Sequence, residues 1–214
     1  MTSERRPADP SALRRSYSLF APLYDLVADR ALRRSRERSL AALRPAPGAR
    51  LLVPGAGTGL DLGFLPRGTT AVCVDFTTAM LLRARERSRR LGRADTFVLA
   101  DAQRLPFREC SLAGAVLHLV LAVVPDPGAA LAEAARVVVP GARLAVLDKF
   151  VRAGELPGHG RRLLDRLLRN LATGLLLRFE EALAAAPSLS VSLDEPDLLG
   201  GAYRRILLVK EMPK

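Results

Sequence analysis

Five short apolar runs constrain this chain more than any other feature. Arg50–Pro54, Ala71–Val74, Thr96–Ala100, Ala113–Leu119 and Arg143–Leu147 are nearly continuous in apolar residues rather than alternating. That is the pattern of strands covered on both faces of a parallel sheet. Helical patterns separate them: Thr77–Leu91, with Thr77 or Thr78 as cap, and Gly128–Val138. Strand and helix in alternation predict an α/β, doubly wound fold. After the fifth run the character changes. Ser188–Leu193 and Tyr203–Val209 alternate apolar and polar residues, and Pro196 and Gly200-Gly201 lie between them, which predicts a terminal hairpin.

Two further segments read as amphipathic helices. Leu13, Tyr17, Phe20, Tyr24, Val27 and Ala31 recur every three or four residues, with Pro22 splitting the stripe into two helices. Arg161–Ala186 reads as one long helix, with Leu164, Leu167, Leu168, Leu171, Leu175, Phe179 and Leu183 on one face. At 214 residues the chain suits one domain with a small lid. Residues 1–44 are expected to form an N-terminal helical lid and residues 45–214 the main domain.

Composition removes several function classes. Cys73 and Cys110 stand alone, so neither a disulfide scaffold nor a metal cluster is expected. The polar start, Met1–Pro10, is not a secretory signal, and the longest apolar stretch, Leu112–Val124, is too short to span a bilayer and contains His118. The chain therefore reads as soluble and cytoplasmic. There are 33 Lys+Arg against 22 Asp+Glu, net +11, and only Lys149, Lys210 and Lys214 are lysines. Codon bias in a GC-rich genome accounts for Arg over Lys, but not for the excess of positive charge, which suits an anionic membrane or nucleic acid. With 5% aromatics, no Trp and no helix-turn-helix, zinc-finger or RNA-recognition signature, nucleic acid is disfavoured.

The first strand runs into Gly55-Ala56-Gly57-Thr58-Gly59, a turn that lets a ligand approach the backbone and offers N–H groups to an anionic group. A dinucleotide fingerprint needs its third glycine where Leu60 stands, so the spacing favours another nucleotide-like ligand. Asp75 ends the second strand, placed to accept hydrogen bonds from ribose hydroxyls or to cap the next helix. Asp101 ends the third strand on the same rim, suited to an adenine amino group. Phe76 suits either the purine face or the core.

The runs LLVPGAGTG from Leu51, VDFTTAML from Val74, DAQRLPF from Asp101, VPDPGAALAEAARVVVPGARLAVLD from Val124 and YSLFAPLYD from Tyr17 resemble the class I S-adenosylmethionine-dependent methyltransferases. Within these they are most similar to the group of ubiquinone/menaquinone-biosynthesis C-methyltransferases and small bacterial phosphatidylethanolamine N-methyltransferases. The resemblance covers nearly the whole chain. It implies a Rossmann-like, seven-stranded sheet whose last strand is antiparallel, with S-adenosyl-L-methionine as cofactor. It further implies that Gly55, Gly57 and Gly59 line the methionyl and ribose part, with Ala56 and Thr58 between them in the cofactor-binding loop, that Asp75 binds the ribose hydroxyls beside Phe76, and that Asp101 and Ala102 hold the adenine. His118 is implied near the sulfonium and the acceptor, and Tyr17 and Tyr24 in a lid over both ligands.

There are departures from the family pattern. Where it has an acid two positions before the first loop glycine, this chain has Val53, with Asp61 as a substitute to consider. Its Phe-Asp at the fourth strand is Leu112-Ala113 here, and the second glycine of its PGG turn is Ala142.

Methyl transfer is an in-line displacement that depends on positioning and desolvation, so no obligate nucleophile is expected. His118 is the best candidate base, although a lone histidine on an apolar strand is more often a hydrogen-bonded core residue; Tyr17 and Tyr24 either orient the acceptor or pack the helix. Arg14, Arg15, Arg33 and Arg34 flank one apolar helix, and Arg161, Arg162, Arg166 and Arg169 the other. This suits a lipidic acceptor, a phospholipid amine or prenylated quinone precursor, approached at the inner face of an anionic membrane. A soluble small-metabolite acceptor and a noncatalytic S-adenosylmethionine-binding protein stand as alternatives, and the oligomeric state is left open.

Overall fold

The computed structural model describes residues 32–150 and 177–212. Residues 32–41 are helical (α1). The strands are β1 (Arg50–Pro54), β2 (Thr70–Asp75), β3 (Thr96–Leu99), β4 (Leu112–His118), β5 (Val138–Lys149), β6 (Leu189–Pro196) and β7 (Tyr203–Lys210). A 3-10 turn (Leu60–Gly63) follows β1, and the remaining helices are α2 (Thr78–Arg90), α3 (Pro127–Val137), α4 (Phe179–Ala184) and α5 (Leu198–Gly201). The seven strands form one sheet in the order β3-β2-β1-β4-β5-β7-β6. β1 to β5 are parallel, and β7 runs antiparallel to both β5 and β6. Strand order reverses direction between β1 and β4, which puts the ligand crevice at their carboxyl ends.

Both faces of the sheet are covered, as the continuous apolar runs require. Leu52, Val72, Leu117 and Val146 face one core with residues of α3 and α4. Leu51, Val53, Cys73 and Val116 face the other, together with Leu40 and Leu43 from α1 and the turn after it. The period-two alternation of Leu51, Leu52 and Val53 between the two cores is the side-chain geometry of a strand. α3 begins where the Asp126 carboxylate accepts the Ala129 N–H at 2.9 Å, with Pro127 in the first turn.

Two sequence expectations are corrected. β5 starts at Val138, directly after α3, and not at Arg143. Val138 pairs with Leu112, the register shifts, and pairing resumes at Gly114 and Arg143; Pro140, which has no N–H, and Gly141, at φ 77°, fall in the shift. Nor is Arg161–Ala186 a single helix, because Arg178 is extended (φ −98°, ψ 120°) and α4 begins only at Phe179. Leu177 and Phe179 are both buried with Arg178 exposed between them, a strand-like alternation set by the packing of Phe179 edge-on against Phe150. The stripe from Leu13 to Ala31, including Tyr17 and Tyr24, and the leucines from Leu164 to Leu175 lie outside the described residues.

Candidate active site

The loop after β1 is held tightly on one side and open on the other. Gly55 sits at φ 63°, and a β-carbon there would lie 2.5 Å from Cγ2 of Val120. The segment after β4 therefore presses directly on the loop. Gly57, at φ 52°, faces open space: a β-carbon would meet only the Gly55 carbonyl oxygen, at 4.0 Å. The Ala56 N–H donates to the Val74 carbonyl at 2.9 Å, tying the loop to β2. Gly59 lies against Ala84 of α2. Thr58 accepts at its carbonyl from Arg87 Nε at 3.0 Å, while its buried hydroxyl has no partner.

Asp75, at the end of β2, is buried and organises this loop. One carboxylate oxygen accepts the Gly57 N–H and the other the Thr77 N–H, both at 2.9 Å. Burial pushes its carboxyl above the ordinary range, and these N–H bonds only partly offset the effect. Phe76 follows it, half-buried. The parallel pairing of Asp75 with Leu99 brings Asp101 to the same rim. Asp101 is exposed and bonded to Gln103, whose side-chain oxygen accepts the Asp126 N–H at 2.8 Å. Ala102, next to it, is buried in the core.

At the neighbouring strand ends the structure brings together residues with no motif of their own. His118, the last residue of β4, is not an open base: its ring is 0% exposed and both nitrogens are engaged. Nδ1 lies 2.6 Å from Asp61 Oδ1 and Nε2 2.9 Å from the Ser39 hydroxyl. The same Asp61 oxygen accepts from Arg36 Nη1 at 2.5 Å. Burial raises the Asp61 carboxyl, but His118 and Arg36 outweigh it and hold the group well below the usual carboxylate range. Arg36 and Ser39 project from α1 on the face that also buries Leu32, Ser35 and Leu40. The detectable sequence signal is an arginine and two serines within an apolar helical stripe.

Asp148, near the end of β5, closes one of the family runs without an expected role of its own. Its signal is the one shared with Asp75 and Asp101, an acid closing an apolar strand. It is fully buried, accepting N–H bonds from Ala122 at 3.1 Å and Lys149 at 2.8 Å. Lys149 lies over the ring of Tyr203. Burial raises the Asp148 carboxyl from 3.8 to about 6. The folded state thus binds more protons than the unfolded chain between those values, and stability falls as pH rises through that window, by about 2–3 kcal/mol in all. Asp148→Asn, which does not titrate, is expected to flatten this fall. Urea unfolding of both proteins from about pH 4 to about pH 7 checks it.

Comparison with known proteins shows the family to which the chain belongs. A family model described as a methyltransferase domain matches residues 52–146. The phosphatidylethanolamine N-methyltransferase of Cereibacter sphaeroides is 32% identical over 143 residues, 66% of this chain and 70% of that protein. The chain belongs to the class I S-adenosylmethionine-dependent methyltransferases. The demethylmenaquinone methyltransferase of a Mycobacterium species (strain KMS) is 33% identical over 199 residues, 90% of this chain and 80% of the relative. A geranyl diphosphate methyltransferase in complex with S-adenosylmethionine has the same fold, with TM-score 0.67, 17% identity, and 96% and 92% of the two chains covered. This methyltransferase is an enzyme whose cofactor is S-adenosylmethionine, and its seven-stranded sheet is that of the class. Among the described residues, no helix is long and apolar enough to cross a membrane, and no cluster of His, Cys, Asp and Glu is suited to a metal ion.

Proposed function

We propose that this methyltransferase modifies a lipidic acceptor, a phospholipid amine or a prenylated quinone precursor. The observation that carries the reading is that two relatives above 30% identity, each covered over at least 70% of its length, are named for a phospholipid amine and for a menaquinone precursor.

The rim fits the cofactor. Gly57 leaves open the space beside the Asp75 carboxylate, and the Thr58 hydroxyl is a buried group still without a partner. In this reading Asp75 accepts hydrogen bonds from the ribose hydroxyls, Asp101 and the Ala102 backbone meet the adenine edge, and Phe76 packs on the purine. Gly55, Ala56, Gly57, Thr58 and Gly59 shape the channel toward the methionyl end. The cofactor supplies a methyl group on a positively charged sulfur. The chain's own part is to line up the acceptor and exclude water. Because both His118 nitrogens are engaged, His118 acts on the site through its neighbours. Residues 1–44, with Tyr17 and Tyr24, serve as the lid in this proposal. The exposed outer face of α1, with Arg33, Arg34 and Arg38, suits approach to an anionic lipid surface at the cytoplasmic side.

Incubation with methyl-labelled S-adenosylmethionine and, separately, phosphatidylethanolamine vesicles, a demethylmenaquinone and a polar metabolite extract tests the reading. Label in a lipid product is expected. Label confined to the polar extract, or no transfer by protein that binds the cofactor, overturns it.

A further inference from the structure

We propose that Arg36, Ser39, Asp61 and His118 act together as positioning residues for the cofactor loop, setting its geometry from helix α1. The proposal rests on the reading above that this loop and Asp75 hold the cofactor. Both walls of the loop are reached. Asp61 lies two residues beyond Gly59, in the turn that ends the loop. His118 lies two residues before Val120, the side chain that presses on Gly55. α1 grips the first through Arg36 and the second through Ser39, and the Asp61–His118 bond joins the two.

The chemistry supports a positional role over two alternatives. Buried ion pairs add little net stability, because desolvation offsets their attraction, whereas they do specify geometry where their bonds are directional. Arg36 pays the desolvation cost visibly: its side chain is 4% exposed and its Nε is buried without a partner. At the loop end of β1 no charged side chain orients the loop, since Val53 is packed in the apolar core. Ser39, His118 and Asp61 do occur in the order of a nucleophile, base and orienting acid. Yet Ser39 is 2% exposed, so no substrate reaches its hydroxyl, and Asp61 is shared between His118 and the buried Arg36 rather than dedicated to the histidine. With Asp61 ionised, Nδ1 of His118 donates to its carboxylate, and Nε2 shares a hydrogen bond with the Ser39 hydroxyl.

The test uses Ser39→Ala, which removes one hydroxyl and strands no charge, with Arg36→Lys and Asp75→Ala beside it. S-adenosylhomocysteine affinity is measured by calorimetry, cofactor KM and kcat by methyl transfer, and Tm on the same samples. Ser39→Ala and Arg36→Lys are each expected to weaken affinity and raise cofactor KM about three- to tenfold, the scale of one net hydrogen bond, with kcat at saturating cofactor within about twofold. A merely structural role would lower Tm and the folded fraction while leaving the affinity of folded protein unchanged. That result overturns the proposal, provided Asp75→Ala binds more weakly. If Asp75→Ala also leaves affinity unchanged, it is the assignment of the loop as the cofactor site that fails.

Discussion

Asp75→Ala is expected to weaken S-adenosylmethionine binding by about a hundredfold or more, which calorimetry with the cofactor or its demethylated product will show. Two charge-assisted hydrogen bonds to ribose hydroxyls, at about 1.5–3 kcal/mol each, account for that magnitude. The carboxylate also receives the Gly57 and Thr77 N–H groups, so its removal loosens the loop as well. The two contributions separate with a cofactor analogue lacking the ribose hydroxyls. The analogue should bind wild-type protein much more weakly than the parent, and Asp75→Ala no differently from the parent. Equal discrimination by both proteins would place the ribose elsewhere. Because burial raises the Asp75 carboxyl above its ordinary value, its protonation begins at a higher pH than for an exposed aspartate. Affinity should therefore fall as pH is lowered into the acidic range, starting earlier than an unperturbed carboxylate predicts.

Gly55 and Gly57 share a left-handed backbone but differ in what surrounds them, and that difference sets the second large effect. Gly55→Ala puts a residue at φ 63° and a β-carbon 2.5 Å from Val120 Cγ2. Left-handed strain and overpacking together cost about 2–4 kcal/mol, a fall in Tm on the order of 5–15 °C. Adding Val120→Ala removes the 2.5 Å contact but leaves the Cβ of residue 120 at 3.0 Å and the strain in place, so the double variant should lose less than the sum of the singles without recovering fully. Gly57→Ala carries similar strain with no clash, since its β-carbon faces open space. It should lose only a few degrees of Tm, about 1–2 kcal/mol, but at least about tenfold in cofactor affinity, because the added methyl enters the space beside Asp75. Equal affinities for wild type and Gly57→Ala would place the ligand away from this side of the loop.

Most of the sheet was legible because its signals are local. Strand runs bounded by Gly, Pro or Asp, and an alternating pair at the end, led directly to five parallel strands and a hairpin. In the sequence Pro140-Gly141 punctuates β5 and hides its start at Val138; in the fold, a register shift absorbs that dipeptide and the strand continues. The break at Arg178 was invisible because Phe179 satisfies the helical stripe as well as it satisfies the extended approach to Phe150. In the site, the glycine loop, Asp75 and Asp101 each stand at a strand end, where sequence order and spatial position coincide. Ser39 and His118 are 79 positions apart and Arg36 and Asp61 are 25 apart. Those contacts exist only once α1 has docked on the sheet, and no local spacing encodes them. Asp61 was readable as a substitute for the missing acid at position 53; that it faces an arginine and the ring of His118 was not.

The Arg36–Asp61 pair also bears on how this chain can vary. Both charges are buried, Arg36 at 4% and Asp61 at 9% side-chain exposure, so removing either one alone strands the other in the interior. The two positions are therefore constrained to change together: a substitution tolerated at one depends on what stands at the other.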